Sequence, residues 1–162
     1  MAFDQTAVRK DFPILWREID DKPLVYLDSG NTSQKPQRVI DAMSHFQEHT
    51  YAPINRSSYR LAGEATDAYE KGRVAVARLI NAPSVDEVVF TKNATEAMNL
   101  IAQAWGRANL GEGDVVVLTE MEHHANIVPW LMLVQERKIQ IRWVPLTADG
   151  QLDLTNLDNL LD

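Results

Sequence analysis

Residues 87–130 read EVVFTKNATEAMNLIAQAWGRANLGEGDVVVLTEMEHHANIVPW, and their pattern decides the fold. Residues 87–91 form a short run of β-branched and aromatic side chains, broken by Asn93-Ala94-Thr95-Glu96. Apolar residues then recur at Ala97, Leu100, Ile101, Ala104 and Trp105, which is helical spacing. Gly111, Gly113 and Asp114 punctuate the chain. Residues 115–118 are an unbroken apolar run, as in a strand buried on both faces. A second helix and a strand over about 139–144 continue the alternation. Strand–helix–strand–helix–strand predicts an α/β fold with a parallel sheet covered by helices. Ligands of such sheets sit beyond the carboxyl ends of the strands. The turns at 93–96 and 120–126 both fall at such ends, and so become the functional candidates.

Outward from this stretch, Asp4 is placed to cap a short helix ending before Pro13. Residues 24–27 (LVYL) read as a strand, followed by the small polar run Asp28-Ser29-Gly30-Asn31-Thr32-Ser33. That run can present backbone amides to a ligand, or be an ordinary surface loop. A helix is predicted from Pro36 with Val39, Ile40, Met43 and Phe46 on one face, and another from about Glu64 to Ile80. Residues 50–61 show no period and read as loop. Residues 151–162 carry leucines at helical spacing behind Asp153, with no stop signal, so the chain is expected to be cut inside an element.

Composition narrows the function. The chain has 162 residues, 45% hydrophobic and 24% charged, as in a soluble globular domain. A net charge of −7 argues against a nucleic-acid surface. The absence of cysteine excludes disulfides and thiolate metal sites within it. No apolar run approaches the roughly 18–20 residues that span a bilayer. The charged N-terminus has no signal core, which makes a cytoplasmic, non-membrane protein the expectation.

Two turns hold chemistry. Ala94, Thr95 and Glu96 open a helix after a strand, which offers free N–H groups and a hydroxyl to an anion such as phosphate. The same residues are equally an ordinary N-cap. His123 and His124, flanked by Glu120 and Glu122, suit a metal, acid–base chemistry or a ring stacked on a ligand. Adjacent side chains diverge, so at most one faces a site. His45, Glu48 and His49 formally match H-x-x-E-H, the pattern of a zinc hydrolase. On a helical wheel, however, His45 points away from the Val39, Met43 and Phe46 face, so no metal is assigned.

The segments YLDSGNTSQKP, TKNATEAMNLIA and GDVVVLTEMEHHANIVPW together resemble the N-terminal part of a SUF-type (group II) cysteine desulfurase. These are pyridoxal-phosphate enzymes of the class V aminotransferase family, and the resemblance runs from Asp11 to Leu146. It implies part of the fold-type-I large domain, truncated. Residues 1–60 would be an N-terminal segment with active-site loops, and residues 61–162 the first part of the cofactor-binding domain. The implied cofactor is pyridoxal 5′-phosphate. The implied reaction takes L-cysteine to L-alanine and an enzyme persulfide for iron–sulfur cluster assembly. The implied partners are a second copy in a homodimer and a sulfur-acceptor protein of the SUF system.

By the same resemblance, Ala94 and Thr95 would bind the cofactor phosphate. His123 would stack on the pyridine ring and transfer protons, as the catalytic residue of this chain. Ser29, Gly30 and Asn31 would lie near the substrate carboxylate, with Asn31 where relatives often have alanine. Asn55 and Arg56 would line the mouth of the site; Arg56 matches the usual His-Arg-Gly, whereas Asn55 and Ser57 depart from it. None of Lys10, Lys22, Lys35, Lys71, Lys92 and Lys138 has the family's Ser-x-His-Lys context, and no cysteine nucleophile is present. The chain is therefore expected to be an N-terminal fragment, inactive alone. The remaining alternatives are a related selenocysteine lyase or cysteine sulfinate desulfinase, a non-catalytic binding module and, most distant, a zinc hydrolase using His45, Glu48 and His49.

Overall fold

The computed structural model describes residues 3–54 and 57–162. They fall into two compact units, Met1–Val88 and Val89–Asp162.

In the first unit Asp4 accepts hydrogen bonds from the Thr6 and Ala7 amides, both at 3.0 Å, and starts α1 (Gln5–Lys10) as expected. A 3₁₀ turn, Pro13–Trp16, follows. β1 (Glu18–Ile19) and β2 (Lys22–Pro23) then pair antiparallel. Asp20 and Asp21 connect them with φ of 52° and 58°, the left-handed pair that a two-residue hairpin needs and that Asp tolerates. The strand expected over 24–27 is absent. Leu24 N–H still reaches the Arg17 carbonyl at 3.0 Å, but beyond it no ladder forms among the described residues. Leu27 is 90% exposed. Strand propensity is realised only against a neighbouring strand, and here none is at hand.

α2 (Gln37–His49) begins after Pro36. α3 (Arg60–Leu79) begins four residues before the expected start and takes in the end of the apparent loop. Its first turn is closed by Arg60 and Glu64 at 2.7 Å. α3 buries only the small residues Ala62, Ala65 and Ala77. A 3₁₀ turn, Val85–Glu87, capped by the Ser84 side chain, occupies the start of the other expected strand. Val88 is extended and buried, but residues 88–91 also form no ladder among the described residues.

The second unit is the βαβ unit that the sequence predicts. α4 (Ala94–Leu100) runs unbroken through a π-helical turn, Ile101–Gly106, into α5 (Arg107–Asn109). β3 (Val115–Thr119), a 3₁₀ turn (His124–Asn126), α6 (Val128–Arg137) and β4 (Gln140–Val144) follow. β3 and β4 are parallel, with Val115 opposite Gln140 and Thr119 opposite Val144. The core packs Ala102, Leu118, Trp130, Leu133 and Ile139. Of β3 only Leu118 is fully buried; residues 115–117 are half-buried, where burial on both faces was expected. Among the described residues β3 has a strand on one side only.

The C-terminal helix is shorter than expected. α7 covers Leu157–Leu161, and Asp153 caps a turn by accepting from the Thr155 amide at 3.0 Å. Gly150, at φ 79°, closes the loop that brings Leu152 against Leu146. Arg142 of β4 donates to the Asn159 and Leu160 carbonyls at 3.2 and 3.0 Å, taking up helix-end acceptors.

Gly106 sits at the end of the π turn, facing α6. A Cβ there would lie 2.7 Å from Leu133 Cδ1 and 3.3 Å from Trp130 Cζ3, both in the core. Alanine gains about 1 kcal/mol of helix propensity over glycine. Overpacking a fixed core costs about 1–3 kcal/mol, and Leu133 has no free space to retreat into. We expect Gly106→Ala in the full-length protein to destabilise it by a net of up to about 2 kcal/mol, read as a lowered denaturation midpoint. A raised midpoint would show that Leu133 repacks freely.

Candidate functional site

The first candidate is the N-terminus of α4. Asn93 caps it, its Oδ1 accepting from the Glu96 amide at 2.9 Å. The Glu96 carboxylate reaches back and accepts from the Lys92 amide at 2.6 Å. This reciprocal cap uses the third helical N–H and leaves the first two. The Ala94 and Thr95 amides and the Thr95 hydroxyl have no hydrogen-bond partner among the described residues. All three donors are exposed at the positive end of a long continuous helix. Asn93 is the cap, as one sequence reading has it, and it leaves the Ala94 and Thr95 donors uncovered.

The second candidate is the turn between β3 and α6. Glu120 continues the end of β3: its amide donates to the Val144 carbonyl at 3.1 Å and its Oε2 accepts from the Leu146 amide at 3.3 Å. Glu122 Oε1 accepts from Thr119 Oγ1 at 3.0 Å, and its Oε2 from Asn126 Nδ2 at 2.9 Å. Both carboxylates are thus anchors of the turn. Immediately after Glu122, His123 is exposed. Its Nδ1 accepts from the Ala125 amide at 3.1 Å, so in the neutral ring the proton sits on Nε2. The His124 ring stands edge-on to it, at 88° with centroids 6.5 Å apart. α4 packs against the His124–Asn126 turn, which brings the two candidates together in one unit.

The Asn126 amide, and after it the Thr119 hydroxyl, hold the Glu122 carboxyl below the usual carboxylate range. A depressed acid stabilises the fold above its unfolded pKa, about 4.3, and that contribution is lost as pH falls through the folded value. We expect full-length Glu122→Gln to lose less stability than the wild type between about pH 5 and pH 3. Thermal melts across that range test this, and parallel loss in the two proteins would contradict it.

The remaining loop candidates belong to the first unit. Asn31 is turned onto its own loop, its amide N–H donating to the Asp28 carbonyl at 3.2 Å and its Nδ2 to Asp28 Oδ2 at 3.3 Å. Gly30 has open space where a Cβ would stand. Ser29 borders a cleft with Phe12, Leu15 and Tyr26. Asn55 and Arg56 lie outside the described residues. The rings of His45 and His49 stack at 4.5 Å on exposed α2, and His49 Nδ1 faces the His45 carbonyl at 3.1 Å. No cluster of three side chains able to hold a metal occurs among the described residues.

The residues that sequence reasoning missed are Asn126 and Trp130. Trp130 Nε1 donates to Asn126 Oδ1 at 3.1 Å, joining the turn to the core. The signal was present in the spacing of Glu122, Asn126 and Trp130, four residues apart each time.

The second unit is an α/β domain with a parallel βαβ unit, and it carries both candidates, an open helix N-terminus and an imidazole-bearing turn. The chain belongs to the aminotransferase class-V family, whose description matches residues 25–162. It is 49% identical over its whole length to a cysteine desulfurase of Enterobacter sp. (strain 638). It spans 40% of the length of that curated relative. The fold matches the crystal structure of the cysteine desulfurase CsdA from Escherichia coli with a TM-score of 0.78 at 34% identity, covering 100% of this chain and 39% of that one. It matches the apo cysteine desulfurase from Thermococcus onnurineus NA1 with a TM-score of 0.86 at 32% identity, covering 99% and 38%. The fold class is the α/β large domain of fold type I, as the resemblance implied.

Proposed function

We propose that the whole protein is a pyridoxal-phosphate-dependent cysteine desulfurase of the SUF type. It would convert L-cysteine to L-alanine and hold the released sulfur as an enzyme persulfide for iron–sulfur cluster assembly. In this reading it works as a cytoplasmic homodimer that delivers sulfur to an acceptor protein of the SUF system. The observation that supports the reading is the packing of α4, whose N-terminus carries the Ala94 and Thr95 donors, against the His124–Asn126 turn that follows His123.

The donor set fits the cofactor. The Ala94 and Thr95 amides and the Thr95 hydroxyl suit a phosphate dianion. His123 offers a flat ring whose plane is fixed by its bond to the Ala125 amide, suited to lie on a pyridine ring while Nε2 holds or moves a proton. Pyridoxal phosphate, when bound, supplies the electron sink for chemistry at the amino acid. Ser29, Gly30, Asn31, Asn55 and Arg56 are assigned to the substrate side, and residues 1–60 and 61–162 to the loop-bearing and cofactor-binding parts.

Thr95→Ala in the full-length protein removes one charge-assisted hydrogen bond, worth about 1.5–3 kcal/mol, while leaving both amides. We expect cofactor retention to weaken roughly ten- to hundredfold, read by absorbance after dialysis. The substrate assignment is tested by alanine release from L-cysteine, selenocysteine and cysteine sulfinate. Fastest turnover of cysteine supports it, and preference for either of the others assigns a related lyase or desulfinase. No turnover of any leaves a binding module.

A further inference from the structure

Of the carboxylates flanking the paired histidines, Glu122 lies at one end of a chain of side-chain hydrogen bonds that has only one possible direction. The Trp130 indole N–H can only donate, so Asn126 must turn its Oδ1 toward it. That leaves the Asn126 NH₂ group facing Glu122, which as a carboxylate can only accept. The second Glu122 oxygen takes the Thr119 hydroxyl at the end of β3. The polar side-chain atoms of the chain are partnered throughout, and its inner end, Trp130, is 8% exposed within the core. Such a fully satisfied network holds one arrangement.

His123 lies inside the loop that this chain closes, between Glu122 and Asn126. Its Nδ1 accepts from Ala125, the residue immediately before Asn126. The 3₁₀ turn presents the Ala125 N–H to the ring, and the Asn126 amide closes that turn onto the His123 carbonyl at 2.8 Å. We propose that Glu122, Asn126 and Trp130 are positioning residues for His123, fixing the imidazole plane and its Nε2–H tautomer to the hydrophobic core. The proposal rests on the reading of His123 as the ring that meets the cofactor. It assigns to the core tryptophan a part in the chemistry that its burial alone does not suggest.

The test uses the full-length protein. Trp130→Phe keeps an aromatic ring in the core and removes only the N–H. Asn126→Ala removes the middle link. Glu122→Gln keeps the shape, because the new NH₂ group can donate to the Thr119 oxygen while the remaining oxygen still accepts from Asn126. The first readout needs no cofactor: ring ¹⁵N signals of His123 in histidine-labelled protein, assigned by their loss in His123→Ala. The wild type and Glu122→Gln are expected to show the Nε2–H tautomer. Trp130→Phe, Asn126→Ala and Glu122→Ala are expected to show a tautomer mixture. The second readout is the loaded enzyme, where the last three should lower kcat roughly ten- to hundredfold with KM unchanged, alongside a weakened visible circular dichroism of the cofactor.

Wild-type ring signals and cofactor dichroism in both Trp130→Phe and Asn126→Ala would overturn the relay, whatever happens to their melting temperatures. Equal loss in Glu122→Gln and Glu122→Ala would also overturn it, since shape alone would then not suffice. Failure of the functional reading looks different: His123→Ala would keep full turnover, while the ring signals would still report on the relay.

Discussion

In the full-length protein His123→Ala is expected to lower turnover of L-cysteine by roughly 10²–10⁴-fold, the usual contribution of a positioned acid–base group. The imidazole is exposed, its Nδ1 is engaged with Ala125 and its Nε2–H is left as the one exchangeable site. Alanine removes both that site and the flat surface. The two losses separate in His123→Phe, which restores an aromatic face worth about 0.5–1.5 kcal/mol but holds no proton. We expect His123→Phe to retain cofactor better than His123→Ala and to remain as slow. Alanine release and cofactor absorbance measure the two effects on the same samples. Unchanged turnover in His123→Ala would remove this residue from the mechanism.

The second large effect concerns the 162-residue chain on its own. It exposes 12707 Å² of surface at 18.3 kDa. A compact monomer of that mass exposes about 8,100 Å², and even two separate compact units of half the mass would expose about 9,800 Å² together. The excess includes large apolar side chains: Leu27 is 90% exposed, Leu79 84% and Val25 72%. Among the described residues the parallel sheet has two strands, so the far edge of β3 offers unpaired backbone groups to other chains. Net domain stability is only about 5–15 kcal/mol, and a fully buried large aliphatic side chain contributes about 1.5–3 kcal/mol. A handful of apolar residues without cover cancels that margin. We expect the isolated chain to be partly unfolded or aggregated, binding a hydrophobic dye and melting without a sharp transition. We expect the full-length protein to melt cooperatively as a homodimer. A soluble monomer of the isolated chain with one steep transition would contradict this.

The legible parts of the fold are those whose signal is local. The β3–α6–β4 unit is visible because the apolar run 115–118 and the β-branched and aromatic-rich stretch 139–144 (IQIRWV) are separated by a helix, and Gly111, Gly113 and Asp114 mark where the first begins. The N-terminus of α4 is visible because Asn93 and Glu96 state a cap in sequence. The runs at 24–27 and 88–91 misled because a strand is a relation between segments, and no partner stands beside them among the described residues. The π turn at Ile101–Gly106 has no sequence signal of its own; the close approach of Gly106 to Leu133 becomes apparent only in three dimensions. Ala94, Thr95 and His123 are the residues the sequence singles out, and the structure adds why they stand open: Asn93 caps without covering the first two, and the Ala125 amide takes Nδ1 of the ring. Asn126 and Trp130 escaped because their four-residue spacing marks only a shared face, and the hydrogen bonds that make them a chain become apparent only in three dimensions. The H-x-x-E-H match at His45, Glu48 and His49 shows the reverse case, a formal pattern whose two rings stack on each other.

The central claim is that the α4 N-terminus and the His123 turn form two parts of one cofactor cradle. A crystal structure of the full-length protein grown with pyridoxal phosphate tests it most directly. The account predicts the phosphate within hydrogen-bond distance of the Ala94 and Thr95 amides and the Thr95 hydroxyl, with the His123 ring parallel to the pyridine ring. A phosphate bound elsewhere, or a His123 ring turned away from the cofactor, would contradict it.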